Sequence, residues 1–263
     1  MDDGQCLLER SEFKYLVPEE LCGPIREYLL HFCDPDPFTR DAEDGRYEIL
    51  SLYLDTPRFD FYQAVQDHAP GRFKLRIRTY GTPAAGPVFF EVKRRAKDTI
   101  RKTRVRVADP DWSALLADGG LPPRRGGGVE DRDGLEQFLC LAGLHAAEPK
   151  FLVRYRREAY QSPWRDRVRV TFDRRLEASG AAGYSFHADA PPCALDDPIS
   201  MGLPVSGVIL ELKFNGAAPA WMEQLVRSFG LVRRGFSKYC RAVERMRFEG
   251  DGGRQPSGES DDE

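Results

Sequence analysis

Hydrophobic and polar positions alternate strictly in several short stretches of this chain. From Arg72 to Tyr80, cations stand at 72, 74, 76 and 78, with Phe73, Leu75 and Ile77 between them. Successive strand side chains point to opposite faces, so this stretch reads as a strand with one basic and one apolar face. The same pattern recurs at 10–17 (Glu12 and Lys14 on one face), 88–94 (Glu91 and Lys93), 102–107 (Lys102, Arg104 and Arg106), 167–173 (Arg167 and Arg169) and 208–214 (Glu211 and Lys213). Residues 47–55 are strongly β-prone and are stopped by Asp55-Thr56-Pro57. Residues 151–160 read as a strand of ambiguous facing, because Arg154, Arg156 and Arg157 occupy both faces. Helices are expected at 19–31, with Pro24 as a kink or restart, and at 133–144, 219–229 and 237–247, with a short amphipathic piece at 58–66. A turn is expected at 83–87 and a surface loop over the Gly- and Pro-rich 118–130, while 178–206 shows no usable pattern.

Strands with one ionic and one apolar face pack the apolar face on helices and leave the ionic face to water or a ligand. An open antiparallel sheet would give a flat basic surface. A closed barrel of about eight strands, with helices outside, would turn the same faces into a lumen. Like charges ~4 Å apart repel by about 4 kcal/mol at an effective dielectric near 20, so a cationic lumen calls for a polyanion. Glu12, Glu91 and Glu211 point the same way, too few to neutralise it and suited to holding a divalent metal beside phosphate. Arg and Lys around a phosphate-bridging metal is the layout of phosphoryl-transfer sites.

Composition narrows this further. The chain has 263 residues and a net charge of −3, but residues 249–263 hold six acids and only Arg254, which leaves +2 for the remainder. Basic character is confined to rows, which argues against nucleic acid as the partner. Residues 1–248 are expected to form one domain, and 249–263 an acidic disordered tail. The six cysteines lack C-x-x-C spacing, and neither a signal peptide nor an 18-residue apolar run is present, so a reducing, cytoplasmic location is expected.

The segment Gly235-Phe236-Ser237-Lys238-Tyr239 opens the last helix. Ser237 is a good N-cap, whereas Lys238 directly after it works against the helix dipole. A helix N-terminus, a hydroxyl and an ammonium together make an anion site.

These residues, in this order, resemble the VTC domain, the polyphosphate polymerase branch of the triphosphate tunnel metalloenzymes. The resemblance runs from about residue 9 to 247. It is carried by Glu12-Phe-Lys14-Tyr15, Leu52-Tyr53-Leu54-Asp55, Arg76-Ile-Arg78-x-Tyr80-Gly81, Glu91-Val-Lys93, Tyr155-Arg-Arg157-x-Ala-Tyr160, Arg167-Val-Arg169-x-x-x-Asp173, Leu210-Glu211-x-Lys213 and Phe236-Ser237-Lys238-Tyr239. It implies an α+β fold, a closed antiparallel barrel of about eight strands forming a basic tunnel with helices packed outside. It also implies metal-dependent transfer of the γ-phosphate of ATP onto a growing polyphosphate chain. Carried over by motif, Arg76, Arg78, Lys93, Arg157, Arg169 and Lys238 would be catalytic. Lys14, Lys74, Lys102, Arg104, Tyr155, Lys213 and Ser237 would bind substrate, and Glu211, with Glu91 and Glu12, would hold Mn²⁺ or Mg²⁺. The related triphosphatases carry Glu-x-Glu-x-Lys on the first strand, where this chain has Arg10, which favours the polymerase branch. A basic residue found two before the Ser in the polymerases is Gly235 here, with Arg233 or Arg234 as substitutes. A phosphate-sensing SPX domain and membrane segments are not expected, so product translocation would need a separate membrane protein, with this chain at most peripheral. A tunnel hydrolase of triphosphates and a non-catalytic polyphosphate or nucleotide binder are the alternatives.

Overall fold

The alternating stretches become strands of one antiparallel sheet. The computed structural model describes residues 10–81, 86–96, 99–108, 112–117, 131–164, 168–198 and 207–251. In chain order the elements are β1 (Arg10–Pro18), α1 (Glu19–Leu29), β2 (Asp34–Pro35), α2 (Pro37–Asp41), β3 (Tyr47–Asp55), α3 (Asp60–Gln66), β4 (Phe73–Tyr80), β5 (Val88–Ala96) and β6 (Thr99–Val107). They continue as α4 (Ala114–Ala117), α5 (Arg132–Leu144), β7 (Glu148–Gln161), β8 (Arg169–Gly180), β9 (Cys193–Ala194), β10 (Gly207–Asn215), α6 (Ala220–Ser228) and α7 (Lys238–Asp251). The fold is a mixed α and β one built on this sheet. Arg167, the loop at 118–130, most of the 83–87 turn and nearly all of the acidic tail lie outside the described residues.

Eight strands follow the order β1-β10-β8-β7-β3-β4-β5-β6, and the short β2 and β9 hang off β7 and β8. The path is open: β1 and β6 are its ends and do not pair with each other. This corrects the expected closed barrel. Part of the reason lies at β1, whose outer edge is taken by the segment before α7. Tyr15 bridges Arg233, and the Arg234 amide donates to the Lys14 carbonyl. The sheet is nevertheless rolled. In a flat sheet β1 and β5 would lie about 29 Å apart, six steps of ~4.8 Å. Yet Lys93 on β5 reaches Glu12 on β1 at 3.3 Å.

Apolar faces pack outward. On one flank Leu52, Leu75, Ile77, Phe90 and Val105 meet Leu135 and Phe138 of α5. On the other, Tyr15, Val170, Phe172, Leu210 and Leu212 meet Cys22, Ile25 and Leu29 of α1 and Met222 and Leu225 of α6. α1 is one continuous helix through Pro24 instead of restarting there. α7 differs from the other helices: its Tyr239, Ala242 and Val243 pack with Tyr53, Val153, Tyr155 and Ile209 on the inner face.

The ambiguous facing of β7 resolves through its pairings. Tyr155 and Arg157 oppose Ile49 and Tyr47, placing them inward. Arg154 and Arg156 point out, to Glu177 and Asp44. Opposite them, β8 carries a bulge, where Arg154 and Arg156 span Glu177 and Arg174. The extra residue falls at Arg175, whose φ is 48°. A bulge inserts one residue and reverses the facing of all that follow. Asp173 therefore points inward before it, and Leu176 and Ala178 point inward after it.

Candidate functional site

Inward side chains from both flanks form two ionic centres on the concave face. The first surrounds Glu211 and Asp173. Arg157 donates to both Asp173 oxygens at 2.6 and 2.7 Å and lies 3.6 Å from Glu211. Lys238 lies 2.6 Å from Asp173 and 3.4 Å from Glu211. Lys213 donates to Glu211 at 2.6 Å, and Lys14 lies 3.0 Å from Glu12 and 3.5 Å from Glu211. Tyr155 underlies this centre, with the Lys238 ammonium 4.8 Å and the Arg157 guanidinium 5.4 Å from its ring.

The second centre surrounds Glu91. Arg76 and Lys102 approach it at 2.5 and 2.6 Å, and Arg104 at 3.5 Å. Antiparallel register explains the convergence, because Tyr53, Arg76, Glu91 and Arg104 are directly opposite one another on β3, β4, β5 and β6. Arg78 donates to the Ser51 hydroxyl at 3.0 Å and Lys74 to the Ser237 hydroxyl at 2.7 Å. The Lys74 contact ties β4 to the start of α7. Ser237 also accepts from the Cys240 amide at 3.3 Å, the capping contact expected of it.

Ten named cations thus share the face with four contacting carboxylates, Glu12, Glu91, Asp173 and Glu211. Burial alone would push the Glu211 and Asp173 carboxyls up. The ammoniums of Lys213, Lys238 and Lys14 hold Glu211 well below its usual range, and Arg157 and Lys238 do the same for Asp173. Glu91 is held down by Arg76, Arg78 and Lys102 against the same burial. Among the cations the outcome divides. Lys14 and Lys238 are pushed up, because the facing carboxylates outweigh their burial. Burial, with Arg76 and Arg78 beside it, brings Lys102 down to about 7 despite Glu91, and burial, with Arg157, brings Lys213 down to about 8. Lys93 is also lowered, by burial and by Lys14 and Arg76.

The fold therefore gathers Lys14, Lys74, Arg76, Arg78, Lys93, Lys102, Arg104, Tyr155, Arg157, Lys213, Ser237 and Lys238 on one face. Arg169 stands apart from both centres, at the end of the face, 2.8 Å from Asp36 and 3.3 Å from the Tyr47 hydroxyl. Arg233 does not take over the position of Gly235, since its guanidinium lies 4.0 Å from the ring of Phe13, on the outer face. Asp173, Ser51 and Tyr53 are members of the site that alternation did not single out. Asp173 was legible as the inward partner of Arg169 two pleats away, whereas Ser51 and Tyr53 sit in an apolar-looking strand.

The three glutamates do not share one cage. Glu12 and Glu211 both contact Lys14, but Glu91 belongs to the second centre. Among the described residues no group of three His, Cys, Asp or Glu side chains is placed to hold a metal. Mg²⁺ is commonly held by one or two carboxylates plus substrate phosphates, a donor set that Glu12 and Glu211, both in contact with Lys14, would supply.

A rolled sheet with a cation-rich concave face belongs to the class of proteins suited to extended anions. The chain is a member of the VTC domain family, whose model matches residues 9–247. It is 24% identical over 272 residues to vacuolar transporter chaperone complex subunit 4 of Schizosaccharomyces pombe. That match covers 91% of this chain and 38% of the relative, so the chain spans well under half of the relative's length. A solved structure, the PH1819 protein from Pyrococcus horikoshii OT3, aligns with a TM-score of 0.47 and 15% identity over 90% of this chain and 99% of that one. No helix among the described residues is long and apolar enough to cross a membrane.

Proposed function

We propose that the concave face is the active site of a polyphosphate polymerase, with the rolled sheet acting as a tunnel. The observation that carries this reading is the excess of cations over carboxylates on a face reached from both flanks. Such a face is self-repelling when empty and is relieved by a chain of phosphates. A terminal oxygen of the growing chain attacks the γ-phosphorus of ATP, the bond to the β-phosphate oxygen breaks, and ADP leaves as the chain gains one phosphate. The transition state is loose, with charge spread over the transferring group, so positioning and charge stabilisation supply the catalysis.

In this reading Arg76, Arg78 and Lys93 orient the triphosphate from one flank, and Lys14, Arg157, Lys213 and Lys238 from the other. Ser237, with Lys74 beside it, offers a hydroxyl to a phosphate oxygen at the start of α7. Glu211 with Glu12 would hold Mn²⁺ or Mg²⁺, which when bound would offset phosphate charge. Membership of the family and the likeness to a subunit of a vacuolar transporter chaperone complex support a working partner. A separate membrane protein would then receive the product, with this chain at the membrane surface through it.

Incubation of the purified protein with ATP and Mn²⁺, resolved on a gel, tests the reading. A ladder of phosphate chains with stoichiometric ADP is expected. Free phosphate alone would replace it with a hydrolase, and binding without turnover with a binder.

A further inference from the structure

One end of the concave face is aromatic instead of ionic. Tyr47, Tyr80 and Phe89 are inward positions, each two residues along its strand from an inward position of the site: Ile49, Arg78 and Glu91. Phe38 of α2 packs on two of them, stacked on Tyr80 at 5.5 Å with 19° between the planes and 5.3 Å from Tyr47. The Arg104 guanidinium lies 3.9 Å from the Phe89 ring centre and donates to the Tyr80 hydroxyl at 3.1 Å. Phe38 is nonetheless 54% exposed, so much of its ring is open to a ligand.

Its position is built. Asp36 caps α2 by accepting from the Thr39 amide at 2.8 Å, and its other oxygen takes Arg169 and the Tyr47 hydroxyl. Arg169, which stands outside both ionic centres, thereby fixes the short helix that carries Phe38.

We infer that this aromatic end, with Phe38 as its exposed plane, is a nucleobase-stacking subsite that distinguishes a nucleoside triphosphate from bare phosphate chains. Two residues of strand cover ~6.6 Å, so Tyr80 lies about one ribose-and-phosphate length beyond Arg78. A base resting on Phe38 would send its triphosphate inward to Arg78 and Arg76. Stacking tolerates any base, because every base has a π-face, and Arg beside aromatics strengthens it. The nucleotide then enters from this end, and a product without a base has no hold there. The inference rests on the phosphate-binding reading of the concave face.

Titration calorimetry with ATP and with tripolyphosphate, each in Mn²⁺, separates the two. For Phe38→Ala, affinity for ATP should fall about tenfold, while affinity for tripolyphosphate stays within about twofold. Phe38→Trp should restore ATP binding. Equal losses for both ligands, or no loss for either, would overturn the subsite while leaving the phosphate site standing. Failure of the unaltered protein to bind tripolyphosphate at all would remove both.

Discussion

Two ionic regions on opposite faces of the same sheet differ in how far their charges are matched. On the outer face Glu158 accepts Arg26 at 2.5 and 3.0 Å and Arg174 at 2.9 Å, and Arg174 also reaches Glu19 at 2.9 Å. Arg154 meets Glu177 and Arg156 meets Asp44, so the outer charges are matched nearly one for one. On the inner face each of Glu91 and Glu211 is shared among at least three cations. The matched set holds helices to the sheet. The mismatched set is left with positive charge that the fold itself does not cancel, and that residue of charge is what a ligand can use.

Removing one member from each set should separate them most sharply. Arg76→Ala should lower turnover about a thousandfold, the scale seen when a positioned charge donor is lost. Its melting temperature should hold, because Glu91 keeps Lys102 and Arg104; steady-state kinetics and thermal unfolding measure both, and wild-type rates would remove the assignment. Glu158→Ala should do the reverse. It leaves the half-buried Arg26 without its carboxylate and the buried Arg174 with Glu19 alone, and should cost about 1–3 kcal/mol in urea unfolding, with activity per folded molecule retained. Next in size, tripolyphosphate at a hundred times its Kd should stabilise the wild type by about 2.7 kcal/mol. That gain should shrink in Lys93→Ala and persist as an added increment in Glu158→Ala.

The smallest effect is on pH. Lys102 near 7 and Lys213 near 8 bind phosphate only when charged, so affinity should fall several-fold between pH 6 and 9. Binding at pH 8 should take up protons, which calorimetry in buffers of different ionisation heat detects. For the unliganded fold the sign is opposite. Both groups have folded values below the unfolded 10.5, so the unfolded chain binds more protons above about pH 7. Their contribution to stability therefore rises with pH from about 7 towards 10.5. A flat binding profile across this range would remove them from the face.

Most of the site was legible because a period of two is a geometric property of any strand. Rows such as Lys74-Arg76-Arg78 and Glu91-Lys93 announce their common face without knowledge of the fold. The alternation failed where the backbone departs from that period. Arg175 takes a left-handed conformation and reverses the facing of the rest of β8, so the alternation ends at Asp173 although the strand runs to Gly180. Arg169 was legible only in part, for a different reason. Its face was right, but its partner Asp36 lies on a connection 133 residues away, where no strand pattern exists. Closure was beyond sequence too, since it depends on whether the two outermost strands find each other.

They do not, and Lys93 of β5, one strand in from the edge, reaches Glu12 of β1 across the gap instead. In a closed barrel, strand number and stagger fix the girth once and for all. Here the two flanks are joined across the concave face by side chains, Lys93 to Glu12 and Lys74 to Ser237 among them, and not by a ladder of backbone hydrogen bonds between the outermost strands. Parting those side chains would open the concave face along its length, and a long anion would then be laid in from the side as well as threaded from an end.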